Sequence, residues 1–129
     1  MEHLRTDVFT QAYIEAALWS SSDGDSDESL QDRGYTEQDI TPEGRAVIHK
    51  DCERFQNEWP AAIAMDERQA GHDFWFTRNH HGVGFWDGDW PEVTGKLLTE
   101  AAQAYGTCDL YIGDDGKVHV FAPYSREQD

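Results

Sequence analysis

Apolar positions recur every three or four residues near the start of the chain. In TDVFTQAYIEAALW, Thr6 to Trp19, the apolar row is Phe9, Tyr13, Ala16 and Ala17, with Ile14 and Leu18 as a second row. That period predicts an amphipathic helix, and Thr6 or Asp7 supplies its N-cap. Apolar residues cover most of its circumference, which predicts deep burial. The pattern stops at SSSDGDSDESLQDRG, Ser20 to Gly34, a polar connection without periodicity. Such a segment reads as an exposed loop. A second helix is predicted from Thr41, with Pro42 at the first helical position and Glu43 in the first turn. Ile40, just before the cap, is placed to staple onto Arg45 or Ala46. Val47, Ile48, Cys52, Phe55 and Trp59 form the apolar face. Pro60 ends or kinks this helix, and Ala61 to Met65 adds a further turn.

From Gly71 the composition turns towards β-formers. HDFWFTR and GVGFWD are rich in aromatics, and Asn79-His80-His81-Gly82 between them carries hairpin-turn residues. Alternation would set Asp73, Trp75 and Thr77 on one face and His72, Phe74, Phe76 and Arg78 on the other. PEVTGKLLTEAAQAYG predicts a third helix, with Gly106 as its stop and Val93, Leu97, Leu98, Ala101 and Tyr105 facing inward. CDLYIGDDGKVHVFA gives two alternating runs around Asp114-Asp115-Gly116, a strong hairpin signal. The expected order is ααββαββ. It implies an α+β fold, with a mainly antiparallel sheet of about four strands and helices on one face. A length of 129 residues suits a single domain, residues 1–129, with an exposed acidic loop at 20–34.

Charge narrows the function more than the fold. Twenty-six acids face ten Lys and Arg, a net charge of −16. Direct binding to nucleic acid or an anionic membrane would work against that field. A basic protein, such as one with a nucleic-acid-binding groove, is the favoured partner. Cys52 and Cys108 form no CxxC pair, so both read as reduced thiols. The sequence has no apolar run of membrane-spanning length, and MEHLRTDVF lacks the features of a secretory signal. The expected location is the cytoplasm of a bacterial host cell.

The block AGHDFWFTRNHHGVGFWDGDW, followed by LTEAAQAYG and DLYIGDDGKV, resembles a family of small uncharacterised proteins from bacteriophages and plasmids. The family pattern reads GHDFWxTRNxHGxGFWD, with a DLYxGDDGK hairpin after it. AYIEAALWSS also fits the family's opening. The resemblance covers most of the chain and implies an accessory gene of a mobile element. Two departures stand out: His80 replaces a glycine, and Gly88-Asp89 replaces a basic Arg-Gly pair.

Four constellations suggest chemistry. DGDSDESLQDRG, Asp23 to Gly34, begins like a calcium loop. It carries Glu28 where such a loop needs glycine and Gly34 where it needs a bidentate glutamate. His72, His80 and His81, with Asp73, are zinc-ligand types, but neighbouring residues at a turn do not converge. No metal and no cofactor are expected. A hydrolytic reading would use His81 as general base, Asp73 to orient it and Arg78 to stabilise an anion. The fourth constellation is the spread of acids: Asp23, Asp25, Asp27, Glu28, Asp32, Glu37, Asp39, Glu43, Asp87 and Asp89, with Asp114 and Asp115 in the last turn. Aligned on one surface, they would approach the charge spacing of a duplex. The leading expectation is a non-enzymatic mobile-element protein. It would bind and block a basic host nucleic-acid-binding protein, such as a restriction or CRISPR component, as a nucleic-acid mimic. The alternatives are a small His-dependent hydrolase or metal-binding protein centred on the 72–86 hairpin, and a self-assembling structural module.

Overall fold

The computed structural model describes residues 7–22, 28–80, 84–85 and 90–123. Helix α1 spans Val8–Ser20, α2 Pro42–Glu58, α3 Pro60–Met65, α4 Glu67–Arg78 and α5 Glu92–Gln103. Strands β1, Asp109–Ile112, and β2, Val118–Phe121, form one antiparallel pair with Leu110 opposite Val120. A 3-10 turn, Glu37–Asp39, precedes α2.

The helix starts follow local chemistry. The Asp7 carboxylate accepts from the Thr10 amide at 2.7 Å and caps α1. Thr41 Oγ1 accepts from the Gly44 amide at 3.0 Å, and Pro42 sits in the first turn of α2. Pro60 has no amide hydrogen to give, so α2 stops at Glu58 and α3 restarts at the proline. Ile40 is buried and forms a parallel bridge with Val118, while the Thr41 amide donates to the Val118 carbonyl at 3.0 Å. The staple position therefore also anchors the hairpin to the start of α2.

The expected four-stranded sheet and the order ααββαββ are not found. The described residues are mainly helical, and their one sheet has two strands. Residues Gly71 to Arg78, read from composition as a strand, lie in α4. Two physical reasons decide this. The Asp66 side chain accepts from the Gln69 amide at 3.2 Å and caps the helix start. The buried positions Ala70, Gly71, Phe74, Trp75 and Arg78 also follow the three-four spacing of a helix face, which overrides the aromatic preference for strands. Asn79 and His80 then terminate that helix instead of turning a hairpin. Of the expected partner strand, Gly84 and Phe85 are buried and belong to no strand, and the rest lies outside the described residues.

Helices α1 and α4 make the most extensive helix pairing. Gly71 permits it: a β-carbon there would overlap the Phe9 carbonyl oxygen and press on the Ala12 side chain. The aromatic core fills the space beside this crossing. Phe55 and Phe74 stack at 4.3 Å between centroids and 11° between planes, with Phe9, Tyr13, Phe85 and Tyr105 around them. Helix α5 departs from its expected facing. Gly95, Leu98 and Ala102 point inward. Val93 is 72% exposed and Leu97 44% exposed. Gly95 sets this rotation, because the helix rests against the Phe85 carbonyl, which a β-carbon would meet at 2.6 Å.

The backbone geometry can be tested at two positions. Gly71→Ala forces α1 and α4 apart and is expected to cost about 1–3 kcal/mol or more, as other overpacked sites do. Urea unfolding checks it, with Asn57→Ala on the exposed side of α2 expected to stay within about 0.5 kcal/mol. His80 has φ of +59°, the left-handed region, two residues past the last helical residue, where the resemblance implies glycine. His80→Gly is expected to stabilise the protein by up to about 1 kcal/mol, since the left-handed penalty of roughly 1–2 kcal/mol exceeds the added flexibility of glycine. Thermal unfolding of the two proteins side by side measures the gain.

Candidate functional site

Arg78, the last residue of α4, is fully buried. Its Nη1 donates to Asp51 Oδ2 at 2.9 Å and to the Tyr13 hydroxyl at 3.2 Å. Its Nε donates to the Gly106 carbonyl at 2.7 Å, and Nη2 to the Tyr105 carbonyl at 3.1 Å. The guanidinium also lies 5.6 Å from the ring centroids of both Phe74 and Tyr105. One side chain thus joins α1, α2, α4 and the end of α5. Burial opposes its charge, but Tyr13, Cys108 and Asp51 outweigh that and hold its pKa above the ordinary arginine value. Tyr13 is held well above the usual tyrosine range by burial, and both cysteines are pushed upward by burial, which keeps them as thiols.

The neighbouring motif residues also have partners within the fold. Asp73 is 3% exposed; its Oδ2 accepts from Trp90 Nε1 at 2.8 Å and its Oδ1 from Gln69 Nε2 at 3.0 Å. Thr77 Oγ1 accepts from the Phe85 amide at 3.1 Å. Asn79 Nδ2 donates to the Trp75 carbonyl at 3.0 Å, and its Oδ1 accepts from the Cys108 amide at 2.8 Å. These bonds tie the α4 helix to the loop before α5 and to the start of β1. Of the hydrolytic trio, Asp73 and Arg78 sit in separate buried networks, and His81 lies outside the described residues. His72 is half-buried beside Glu15 and Arg68, with its pKa lowered by burial and by the Arg68 charge. His80 is exposed. No cluster of three metal-ligating side chains occurs among the described residues.

Sequence reasoning turned Tyr13 and Tyr105 inward, as found, but missed Asp51 and the network that joins them to Arg78. Asp51 had a legible signal: it falls between Ile48 and Phe55 on the apolar face of α2, where a carboxylate requires a buried cation.

The candidate acids divide into three groups. Asp23, Asp25, Asp27, Asp87 and Asp89 lie outside the described residues. Glu28 and Asp32 are exposed on the turn that follows α1, a turn anchored by buried Leu30. Glu37, Asp39 and Glu43 surround the start of α2. The parallel bridge from Ile40 to Val118 brings the 37–39 turn and the hairpin tip with Asp114 and Asp115 to one end of the small sheet. Two of these carboxylates are fixed by local bonds. Asp39 accepts from the Thr36 amide at 2.7 Å, and Asp115 accepts from the Lys117 amide at 2.9 Å and lies 3.1 Å from His119 Nε2. Among the described residues, Asp51 and Asp73 are the only buried carboxylates.

Two of the surface grooves carry exposed aromatic or apolar side chains. One, about 330 Å3, runs between α1 and α4, where Trp19 is 60% exposed and meets Phe76 edge to face. The other, about 410 Å3, lies between α3 and α5. No helix among the described residues is long and apolar enough to cross a membrane. No family model matches the chain, and no curated protein or solved structure matches it.

Removal of the Arg78 counter-charge tests the central network. Asp51→Asn leaves a buried cation with a weaker partner and is expected to cost about 3–5 kcal/mol. Adding Arg78→Met is expected to cost less than the sum of the two single changes, with a coupling of about 0.5–3 kcal/mol. A double-mutant cycle by urea unfolding measures both quantities.

Proposed function

We propose that this chain is a non-enzymatic, acidic binding protein that occupies the nucleic-acid-binding surface of a basic protein and blocks it. The observation that carries this reading is the Ile40–Val118 bridge, which brings the backbone of the turn bearing Glu37 and Asp39 to the hairpin end that bears Asp114 and Asp115. Local bonds hold Asp39 and Asp115 in place, so part of the charge is presented in a fixed arrangement. Fixed charge favours association more than mobile charge does, because less ordering is needed on binding. The burial of Asp73 and Arg78 further supports binding over hydrolysis, since their polar atoms already serve the fold. The resemblance to phage and plasmid proteins points to a host target such as a restriction enzyme or a CRISPR effector, and to nucleic-acid mimicry as the mode of action.

The test is capture of partners from bacterial lysate, elution by a salt gradient and a nucleic-acid competition assay on the captured protein. A basic nucleic-acid-binding protein that loses its DNA or RNA in the complex is the expected result. The triple change Glu37→Gln, Glu43→Gln and Asp114→Asn spares the two turn-fixing aspartates. It is expected to shift elution to lower salt and to weaken the block by at least about tenfold, since charge pairs at interfaces carry steering and specificity. An unchanged complex after this substitution would overturn the charge mechanism.

A further inference from the structure

The outer face of the hairpin carries more aromatic surface than the core uses. Alternation along the strands sets Asp109 and Tyr111 of β1 and His119 and Phe121 of β2 on that face, with Asp109 opposite Phe121 and Tyr111 opposite His119. The inner face, with Leu110, Val118 and Val120, packs against the core. Tyr111 is 45% exposed and Phe121 56% exposed. The Tyr111 ring is held in place. It stacks on His119 at 5.2 Å between centroids and 17° between planes, and His119 Nε2 lies 3.1 Å from both carboxylate oxygens of Asp115. Phe121 is the diagonal neighbour of Tyr111 across the two strands, a separation that a long side chain can span. Carboxylates frame these rings. Asp109 shares their face, Asp115 is tied to it through His119, and Asp114 is exposed beside it in the turn. Lys117 is the only Lys or Arg of the hairpin.

We propose that this face is a recognition surface for an arginine side chain of the basic partner. The contact gives the blocking role proposed above its selectivity, and the partner's identity rests on that reading. A guanidinium is attracted to the faces of aromatic rings and forks onto a carboxylate. Tyr111 and Phe121 provide the rings, and Asp109, opposite Phe121, provides the carboxylate. Three carboxylates against one lysine select a cationic occupant. The exposed rings select arginine over lysine, because a planar, weakly hydrated guanidinium stacks where a compact, strongly hydrated ammonium does not. A second copy of this chain brings −16 against −16, and its hairpin has no arginine to offer. Nucleobases also stack on exposed aromatic side chains, but their phosphates would meet the same carboxylates.

The probe is a flexible peptide of about 12 residues, with arginine at every third position in a glycine–serine background. A twin peptide carries lysine in place of every arginine. NMR titration at physiological ionic strength reads both affinities for the full chain and for Phe121→Ser, Tyr111→Ser and Asp109→Asn. All three variants alter exposed side chains, and Phe121→Ser remains informative if Tyr111→Ser disturbs the hairpin. The wild type is expected to bind the arginine peptide at least about threefold more tightly than its twin, with the preference lost in both ring variants. Asp109→Asn is expected to weaken the arginine peptide at least about threefold. Equal affinity for the two peptides overturns the proposal; if neutralising Glu37, Glu43 and Asp114 still weakens both, the blocking reading stands without it. An arginine preference that survives both ring substitutions belongs to another surface and also overturns it. Binding of a single-stranded oligothymidylate that Phe121→Ser abolishes makes the face a nucleobase platform instead. An arginine preference lost in both ring variants, in a protein that displaces no nucleic acid from a captured partner, keeps this contact and sinks the blocking reading alone.

Discussion

A guanidinium removed from water is the constraint around which this fold is organised. Arg78 cannot shed its proton, so its burial is tolerable only where its donors find acceptors. Asp51 supplies the opposite charge, Tyr13 a hydroxyl, and the chain after α5 two carbonyls. Those acceptors come from three separate parts of the sequence, and the arginine itself from a fourth. The network therefore fixes the mutual placement of α1, α2, α4 and the end of α5 in a way that apolar packing alone would not. The stacked rings of Phe55 and Phe74 lie beside it and provide the bulk of the contact. The arginine provides directional bonds. Apolar contact favours compaction in many arrangements, whereas four directional bonds from one side chain admit few.

The same logic accounts for the density of unusual residues between Ala70 and Trp90. Gly71 lets two helices touch, Asp73 receives the Trp90 indole, Thr77 receives the Phe85 amide, and Asn79 receives the Cys108 amide. A stretch so rich in polar and aromatic side chains resembles a catalytic motif when read in one dimension. In three dimensions Asp73, Thr77, Arg78 and Asn79 each meet a backbone or side-chain partner belonging to another part of the chain. A motif can thus be long and specific because it solves a packing problem.

The legible parts of the sequence were those governed by local chemistry. Asp7, Thr41 and Pro42 set helix starts through bonds within one turn, and Asp114-Asp115-Gly116 sets a hairpin through its own backbone preferences. The reading of residues 71–78 failed because two local signals conflicted. Aromatic content favoured a strand, while the spacing of Ala70, Gly71, Phe74, Trp75 and Arg78 and the cap at Asp66 favoured a helix. Long-range contact with α1 decided for the helix, and no local rule weighs that contact. The turn residues Asn79 and His80 were recognised as turn-formers but assigned to the wrong kind of turn. Left-handed backbone serves a helix end as readily as a hairpin. The facing of α5 was misjudged for a related reason: Gly95 adds no apolar surface to the pattern, yet it decides which side of the helix can approach Phe85.

The division between buried and exposed charge then separates what holds the fold together from the binding role proposed for the surface. Its buried ionisable side chains, Asp51, Asp73 and Arg78, sit within directional networks. Much of the acidic excess remains at the surface, where it adds little to stability and instead shapes the field that a partner meets. The small sheet is where the core meets the proposed binding surface. Val118 is buried and holds Ile40 at the start of α2, while the turns on either side of that bridge carry carboxylates. An interior contact thereby holds the backbones of two acid-bearing turns near one another. A loop bearing the same acids without that bridge would have to order them at the moment of binding, at a cost of about 0.5–1.5 kcal/mol for each immobilised side chain. A surface preassembled by the core avoids part of that cost, and this links the fold to the binding role proposed for it.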